Sequence, residues 1–220
     1  MKEITVQVQR FAPLHGWTNR ILRVDLSDMR IQVQETAPYV PDYIGARGIA
    51  ARICWDDFAE PVAPYDPESP LMIFSGALTG SRSPYSGRTN VCGFSPQSWP
   101  YPWFTRSSIG GRFGGELKRA GYDAIVVTGA AETPVRLRIR DDRVSILPAG
   151  DLCREATDGA GQGHHVDHTW LGIQDSLSGH YDGGMTKPGL STFGNPQIEL
   201  YHVTRGQHRA SRLRQDSTWQ

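Results

Sequence analysis

The stretch from Gly76 to Gly129 constrains the fold of this chain more than any other. It contains a loop rich in glycine, serine and proline that ends at Ser86-Gly87-Arg88-Thr89-Asn90. A second glycine-rich segment, Ser107 to Gly115, predicts a turn that leads into a short helix from Glu116 to Ala120. The apolar run from Ala124 to Thr128 predicts a buried strand. Two glycine-rich turns, a helix start and a buried strand therefore organise the chain.

Anion binding is the chemistry that suits such a stretch. Glycine lets the backbone approach a ligand closely, and the free N–H groups at the start of a helix favour negative charge. Arg88, Arg106 and Arg112 can each hold a phosphate or a planar acceptor group. The same residues also fit two ordinary surface turns that carry solvated arginines. The spacing alone leaves both interpretations open.

The sequence of this stretch resembles the N-terminal domain of the aldehyde ferredoxin oxidoreductase family, whose members are tungsten- or molybdenum-pterin enzymes. The resemblance is carried by GALTGSRSPYSGRTNV and by SSIGGRFGGELKRAGYDAIVVTG, with the long core GGxFGxELKxAGYDAIxxxG. Asn19 to Ser27 is similar to the opening segment of the family, and Tyr43 to Ala50 is similar to its YLGGRGLA. The similarity extends from Gly16 to Leu152 and fades beyond that point.

This resemblance implies a bis-pterin cofactor that holds tungsten or molybdenum, and it implies which residues contact the pterin and its phosphates. The matching positions here are Arg88, Thr89, Asn90, Ser107, Ser108, Gly110 and Gly111. We expect Arg88 and the segment from Ser107 to Gly111 to face one groove. The family commonly has asparagine at the position of Ser108, where it helps to hold a magnesium ion between the two pterin phosphates. Serine still offers an oxygen but is shorter, which puts the magnesium contact in doubt.

Strand patterns dominate the first 150 or so residues. Strands are predicted within Met1–Ala12, Asn19–Leu26, Arg30–Glu35, Leu71–Ser75, Val91–Phe94, Ala124–Gly129, Val135–Arg140 and Val144–Leu147. Because helices are few, the predicted class is α+β and β-rich. The resemblance implies twisted sheets of the aldehyde ferredoxin oxidoreductase N-terminal domain type.

One longer helix is predicted from Ile44 to Asp57. Its apolar positions are Ile44, Ile49, Ala50, Ile53, Cys54 and Trp55. Arg47 and Arg52 then fall mainly on its polar side. The resemblance implies that the start of this helix lies near the pterin, whereas a solvated Arg47 is the alternative.

The amino-acid composition of the chain excludes several classes of protein. With 23 basic and 23 acidic residues among 220, nothing indicates a nucleic-acid or anionic membrane surface. No apolar run predicts a membrane span or a signal peptide, and three widely spaced cysteines suit the cytoplasm.

We assign residues 1–152 to a pterin-binding N-terminal domain that is incomplete relative to the family. Residues 153–220 are glycine-rich and poor in apolar residues, which predicts a divergent or degenerate tail that packs poorly.

The cysteines and histidines give little sign of a metal site. The resemblance implies a 4Fe-4S cluster in full-length members, but its C-x2-C-x3-C motif lies in later domains. Cys54, Cys92 and Cys153 lack that spacing, so they are predicted to be buried or inert and not to ligate the cluster. The histidines His164, His165 and His168 can ligate zinc or nickel, but their polar, glycine-rich surroundings favour a solvated run.

The resemblance implies an oxidoreductase that converts an aldehyde to a carboxylic acid and passes the electrons to ferredoxin. This chain would supply pterin contacts only, and we expect it to be inactive alone. Its expected partners are ferredoxin and a larger catalytic polypeptide of the same family. The alternative is a non-catalytic role, either as a truncated relic or as a scaffold subunit that works with a larger partner.

Overall fold

The structure is a computed structural model that describes residues 3–58, 60, 62–95, 100–110, 113–133 and 135–148, and the backbone of 190–193 and 197–202. Within these ranges the chain forms strands, two α-helices and one short 3-10 helix. The strands are β1 Ile4–Gln7, β2 Ile21–Asp25, β3 Arg30–Gln34, β4 Leu71–Ser75, β5 Thr89–Phe94, β6 Phe104–Ile109, β7 Ala124–Thr128, β8 Val135–Arg140, β9 Arg143–Pro148, β10 Leu190–Phe193 and β11 Gln197–His202. The helices are the 3-10 helix Ala37–Tyr39, α1 Ala46–Asp57 and α2 Phe113–Arg119.

The larger sheet has six strands in the order β3-β2-β7-β4-β5-β6. Strands β2 and β7 run parallel, and the other described neighbours run antiparallel. The strands predicted within Asn19–Leu26 and Arg30–Glu35 are confirmed, and they form a hairpin in which Ile21 lies opposite Gln34. Met29 turns the chain between them with a positive φ of 53°. The predicted α+β, β-rich class is thus confirmed.

The smaller sheet is antiparallel, with the order β1-β9-β8-β11-β10. Strand β11 pairs with β8, so that Gln197 lies opposite Arg140 and His202 lies opposite Val135. No strand was predicted after residue 152, so β10 and β11 add to the expected architecture. The rest of 153–220, with its histidine run, lies outside the described residues, and the predictions about it stay predictions.

Two apolar layers cover the faces of the six-stranded sheet. Successive side chains of a strand point to opposite faces, so strands such as β2 and β4 contribute to both layers. One layer joins the sheet to α2 and to the five-stranded sheet, and it includes Leu22, Ile73, Val91, Phe113, Leu117, Ile139 and Ile146. The other joins the sheet to α1, and it includes Ile21, Ile49, Ile53, Phe74, Cys92 and Val126.

Helix α1 begins after Gly45 and buries Ile49 and Ile53 as predicted. The prediction is wrong for Ile44 and Trp55, whose exposed fractions are 91% and 78%. Ile44 precedes the helix, and Trp55 is turned about 100° from its buried neighbour Cys54 because an α-helix has 3.6 residues per turn.

The predicted turn from Ser107 to Gly115 is wrong at both of its ends. Strand β6 continues to Ile109, and α2 already begins at Phe113. The glycine at 114 serves close packing inside the helix, because a Cβ atom there would lie 2.4 Å from Thr89 Oγ1. These glycines mimic a turn in the sequence because packing and turns both favour a residue without a side chain.

A buried carboxylate ties the segments around β2 to the end of α2. Asp123 is fully buried, and its Oδ1 accepts hydrogen bonds from Thr18 N at 2.9 Å and Lys118 Nζ at 2.6 Å. Its Oδ2 accepts from Thr36 Oγ1 at 2.7 Å and Arg20 N at 3.3 Å. Because a buried charge is tolerated only with such partners, these donors fix the position of β7, which begins one residue later.

A buried arginine links the two sheets. Arg20 Nη1 donates to Asp142 Oδ1 at 2.7 Å, in the turn between β8 and β9, and its guanidinium lies 4.4 Å from the Tyr122 ring centroid. Burial raises the pKa of Asp142, but hydrogen bonds from Arg20 and Arg10 outweigh it and hold this pKa below its ordinary value. The Tyr122 hydroxyl donates to the Asp141 carbonyl at 2.7 Å. The turn of the smaller sheet is therefore anchored to the larger one.

We predict that Gly114→Ala lowers the free energy of unfolding by about 1–3 kcal/mol, because the added methyl overpacks the contact with Thr89. Gly115→Ala is the matched control, since its Cβ would meet only Gly80 Cα, at 3.6 Å. That control should stabilise the chain by about 0.5–1 kcal/mol through helix propensity. Urea denaturation measures both, and equal effects of the two variants would contradict the packing role.

We predict that Asp123→Asn lowers the free energy of unfolding by about 3–5 kcal/mol, because it leaves the buried ammonium of Lys118 without its counter-charge. Asp56→Asn removes the exposed ion pair with Arg52 and should leave the urea midpoint nearly unchanged. A similarly small change in the free energy of unfolding of both variants would show that the hydrogen bonds to Asp123 do not stabilise the fold.

Candidate functional site

The β5–β6 hairpin brings most of the predicted site residues together at one end. The antiparallel register places Thr89 opposite Ile109 and Asn90 opposite Ser108. Arg88 directly precedes β5 and Gly110 directly follows β6, so the two motifs lie side by side along the backbone. Gly111 lies outside the described residues.

The pleat of the strands divides these residues between two faces. Asn90 and Ser108 lie on the α1 side, where Ser108 Oγ donates to Asn90 Oδ1 at 3.0 Å. Thr89 and Ser107 lie on the α2 side, where Thr89 is fully buried beneath Gly114. Only Asn90 and Ser108 among these four therefore share the face that α1 borders.

Two arginines add positive charge to the α1 side of the hairpin. Arg106 is exposed, and its Nη1 donates to Ser108 Oγ at 3.2 Å. Arg47 is exposed in the first turn of α1. Burial raises the pKa of the Cys92 thiol to about 12, and both arginines oppose that rise, so both lie within electrostatic reach of this one residue. Asn90, Ser108, Arg47 and Arg106 thus form a polar, cationic cluster, the α1-side cluster.

Sequence reasoning missed the residue that holds the loop before β5. Thr79 Oγ1 accepts a hydrogen bond from Gly76 N at 3.0 Å. The same hydroxyl donates its one proton between two carbonyl oxygens, that of Ser86 at 3.0 Å and that of Arg88 at 3.4 Å. These bonds position the exposed Arg88 at the start of β5. The signal in the sequence was the threonine inside GALTG, flanked by glycines whose backbone needs an internal partner.

The described cysteines, Cys54 and Cys92, are free and buried, and their burial was predicted. Burial, with the nearby Asp57, raises the pKa of Cys54 to about 11, and burial raises that of Cys92 to about 12. Such thiols stay protonated at neutral pH and make poor nucleophiles and metal ligands. Cys153 lies outside the described residues.

Across the described ranges no three His, Cys, Asp or Glu side chains converge on a possible metal position. None of the helices described is long and apolar enough to cross a membrane.

Comparison with known proteins places this hairpin inside a matched region. The family model for the N-terminal domain of aldehyde ferredoxin oxidoreductase matches residues 21–165. The tungsten-containing aldehyde ferredoxin oxidoreductase of Thermococcus kodakarensis is 40% identical over 140 residues, which are 63% of this chain and 23% of that protein. The corresponding enzyme of Pyrococcus furiosus is 39% identical with the same coverage.

Two further similar proteins are named for reactions other than aldehyde oxidation. An aliphatic sulfonate oxidoreductase, WOR-like subunit, of Pyrococcus furiosus is 33% identical over 62% of this chain and 22% of its own length. Among solved structures, the active-site complex BamBC of benzoyl-coenzyme A reductase with 1,5-dienoyl-CoA has a TM-score of 0.59 at 36% identity. That match covers 63% of this chain and 21% of the solved chain. The matched region thus spans less than a quarter of each of these relatives.

We predict that Cys54 and Cys92 do not react with a disulfide reagent such as DTNB at pH 8 in the native chain, and that both react after denaturation. A Cys153→Ser background leaves only these two thiols to count. Asp56→Cys, on the exposed side of α1, is the control and should react without denaturant. Rapid labelling of the native Cys153→Ser protein would contradict the burial of the two thiols.

The same two thiols make the free energy of unfolding fall at alkaline pH. Unfolded thiols ionise near pH 8.5, well below the folded pKa values of about 11 and 12. Their contribution to the free energy of unfolding is therefore complete below about pH 8.5 and is lost as the pH rises towards 11. Urea titrations from pH 8 to 11 should show a smaller fall in a Cys54→Ala/Cys92→Ala variant.

Proposed function

The chain belongs to the aldehyde ferredoxin oxidoreductase family, and from this premise we propose that its β5–β6 hairpin forms one wall of a tungstopterin or molybdopterin site. The observation that carries the proposal is the register that brings Arg88, Asn90 and Ser108 to one end of the hairpin. The tungsten-containing relatives support the choice of cofactor.

The residues of this chain would bind and orient the phosphate end of the cofactor. A phosphate needs cationic and N–H donors, and a guanidinium can supply two parallel hydrogen bonds to it. Arg88 is exposed at the end of a loop that Thr79 holds in place, so its backbone position is set before a ligand binds. When bound, the metal centre of the cofactor would accept the two electrons released when an aldehyde becomes a carboxylic acid.

In the full assembly an iron–sulfur cluster would supply electron transfer towards ferredoxin, and residues other than the described cysteines would have to hold it. Cys54 and Cys92 stay neutral and buried, so the cluster would be ligated by other residues. We infer that a larger polypeptide of the same family supplies them and that this chain alone does not oxidise aldehydes. The WOR-like subunit and the BamBC complex support such a partner, since both are named as parts of assemblies.

A scaffold role within such an assembly is the second candidate. The same names favour it, because a subunit can hold a partner without contacting the cofactor. The two candidates differ in one measurement. A cofactor-binding chain changes the pterin content of the assembly when Arg88 is replaced, whereas a scaffold changes only the amount of assembly formed.

We predict that Arg88→Ala lowers the pterin affinity of the loaded protein about tenfold to a hundredfold, because a charge-assisted hydrogen bond is lost. Pterin fluorescence after oxidation and metal analysis measure the occupancy, and circular dichroism should show an unchanged fold. Arg52→Ala, which removes an exposed arginine paired with Asp56, is the control. Unchanged occupancy in Arg88→Ala, or a protein that never contains pterin, would overturn the proposal.

A further inference from the structure

The hydroxyl of Ser108 is already engaged on two sides. It donates its proton to Asn90 Oδ1 at 3.0 Å and accepts a hydrogen bond from Arg106 Nη1 at 3.2 Å. A serine hydroxyl has one proton and two lone pairs, so one lone pair is left for any further contact. The geometry comes from neighbouring strands, since Arg106 and Ser108 are two residues apart on β6 and Asn90 lies opposite Ser108 on β5.

This arrangement does not fit a magnesium ion at Ser108. Magnesium requires oxygen ligands at about 2.1 Å in near-octahedral geometry. An ion bound to this oxygen would lie close to the permanently charged guanidinium that the same oxygen accepts from, and the two cations would repel each other. The exposed Arg47 on the facing helix adds charge of the same sign.

We propose that the guanidinium of Arg106 replaces a divalent cation at this site and neutralises the phosphate groups of the ligand directly. The inference rests on the proposed pterin function and deepens it, because it makes phosphate binding by this chain independent of magnesium. In the part of the chain that the structure describes, one of the five N–H donors of the guanidinium holds Ser108, and the other donors can reach phosphate oxygens. Arg106 is exposed and is held in place by Ser108, so its fork is oriented before the ligand arrives.

The chain departs from the family pattern at Ser108, and a cationic side chain stands close to that position. Serine replaces the asparagine that the resemblance associates with magnesium, and an arginine stands two residues before it on the same face of β6. The short side chain of serine leaves room for the guanidinium beside the strand. The two residues therefore act as a unit, and both must change to restore a magnesium site.

The test uses the pterin-loaded protein, treated with EDTA and separated from released cofactor by gel filtration. We expect the wild type to keep its pterin and to contain little magnesium by elemental analysis. Arg106→Gln should hold pterin about tenfold to a hundredfold more weakly, whereas Arg106→Lys should recover part of the loss because it keeps the charge. Arg52→Gln is the control, and it should behave as the wild type.

The double variant Arg106→Gln/Ser108→Asn should bind pterin again, but only with added magnesium. Stoichiometric magnesium in the wild type, with loss of pterin in EDTA, would overturn the inference and leave the pterin function standing. If the protein contains no pterin, titration with inorganic phosphate in EDTA decides the matter. If the wild type binds phosphate and Arg106→Gln abolishes that binding, the role of Arg106 as the phosphate-binding cation is supported without the pterin. If the wild type does not bind phosphate, both the role of Arg106 and the proposed pterin function are refuted.

Discussion

The buried carboxylate of Asp123 is the interaction on which the rest of the described fold depends. Taking a charge out of water is unfavourable by several kcal/mol unless donors surround it. Here the donors come from the segment before β2, from the segment after β3 and from α2. The carboxylate can therefore be buried only when these parts have assembled, and β7 begins directly after it between β2 and β4.

The position of α2 that follows from this cluster also shapes the candidate site. Lys118 holds the end of the helix on Asp123, and Gly114 lets its first turn approach Thr89. The start of β5 is thereby pressed against the helix on one face, and Asn90 is turned to the other. The site and the core thus share a strand, with alternate residues serving each.

The charged residues on the α1 side differ from those of the core in their exposure and in their partners. Arg20 is buried and Lys118 is partly buried, and each has a carboxylate partner within 2.7 Å. Arg47 and Arg106 are exposed beside the polar end of the hairpin, and Arg106 donates a hydrogen bond to the hydroxyl of Ser108. Structural arginines and lysines satisfy their charge inside the protein, whereas the α1-side cluster offers its charge to the surroundings, as an anion site requires.

Much of the architecture could be predicted because it rests on local patterns. Strands such as β4 and β8 alternate or run apolar over their whole length, and α1 repeats its apolar residues at helical spacing. Strand β6 could not be found in this way, since FTRSSI is mostly polar and borders glycines. It becomes a strand because β5 provides hydrogen-bond partners along its length, and those partners are distant in the sequence.

The sequence by itself determined the family, the β-rich class and the residue types available for an anion site. Only the tertiary structure decided which of these residues face the same way. Thr89 and Asn90 are neighbours in one motif, yet the pleat sends one into the core and the other towards α1. Likewise Gly110 directly follows a strand, while Gly114 lets a helix pack closely against Thr89. The physical reason is that a motif records which side chains are needed, whereas strand register and helix packing, both set by long-range contacts, determine where each side chain points.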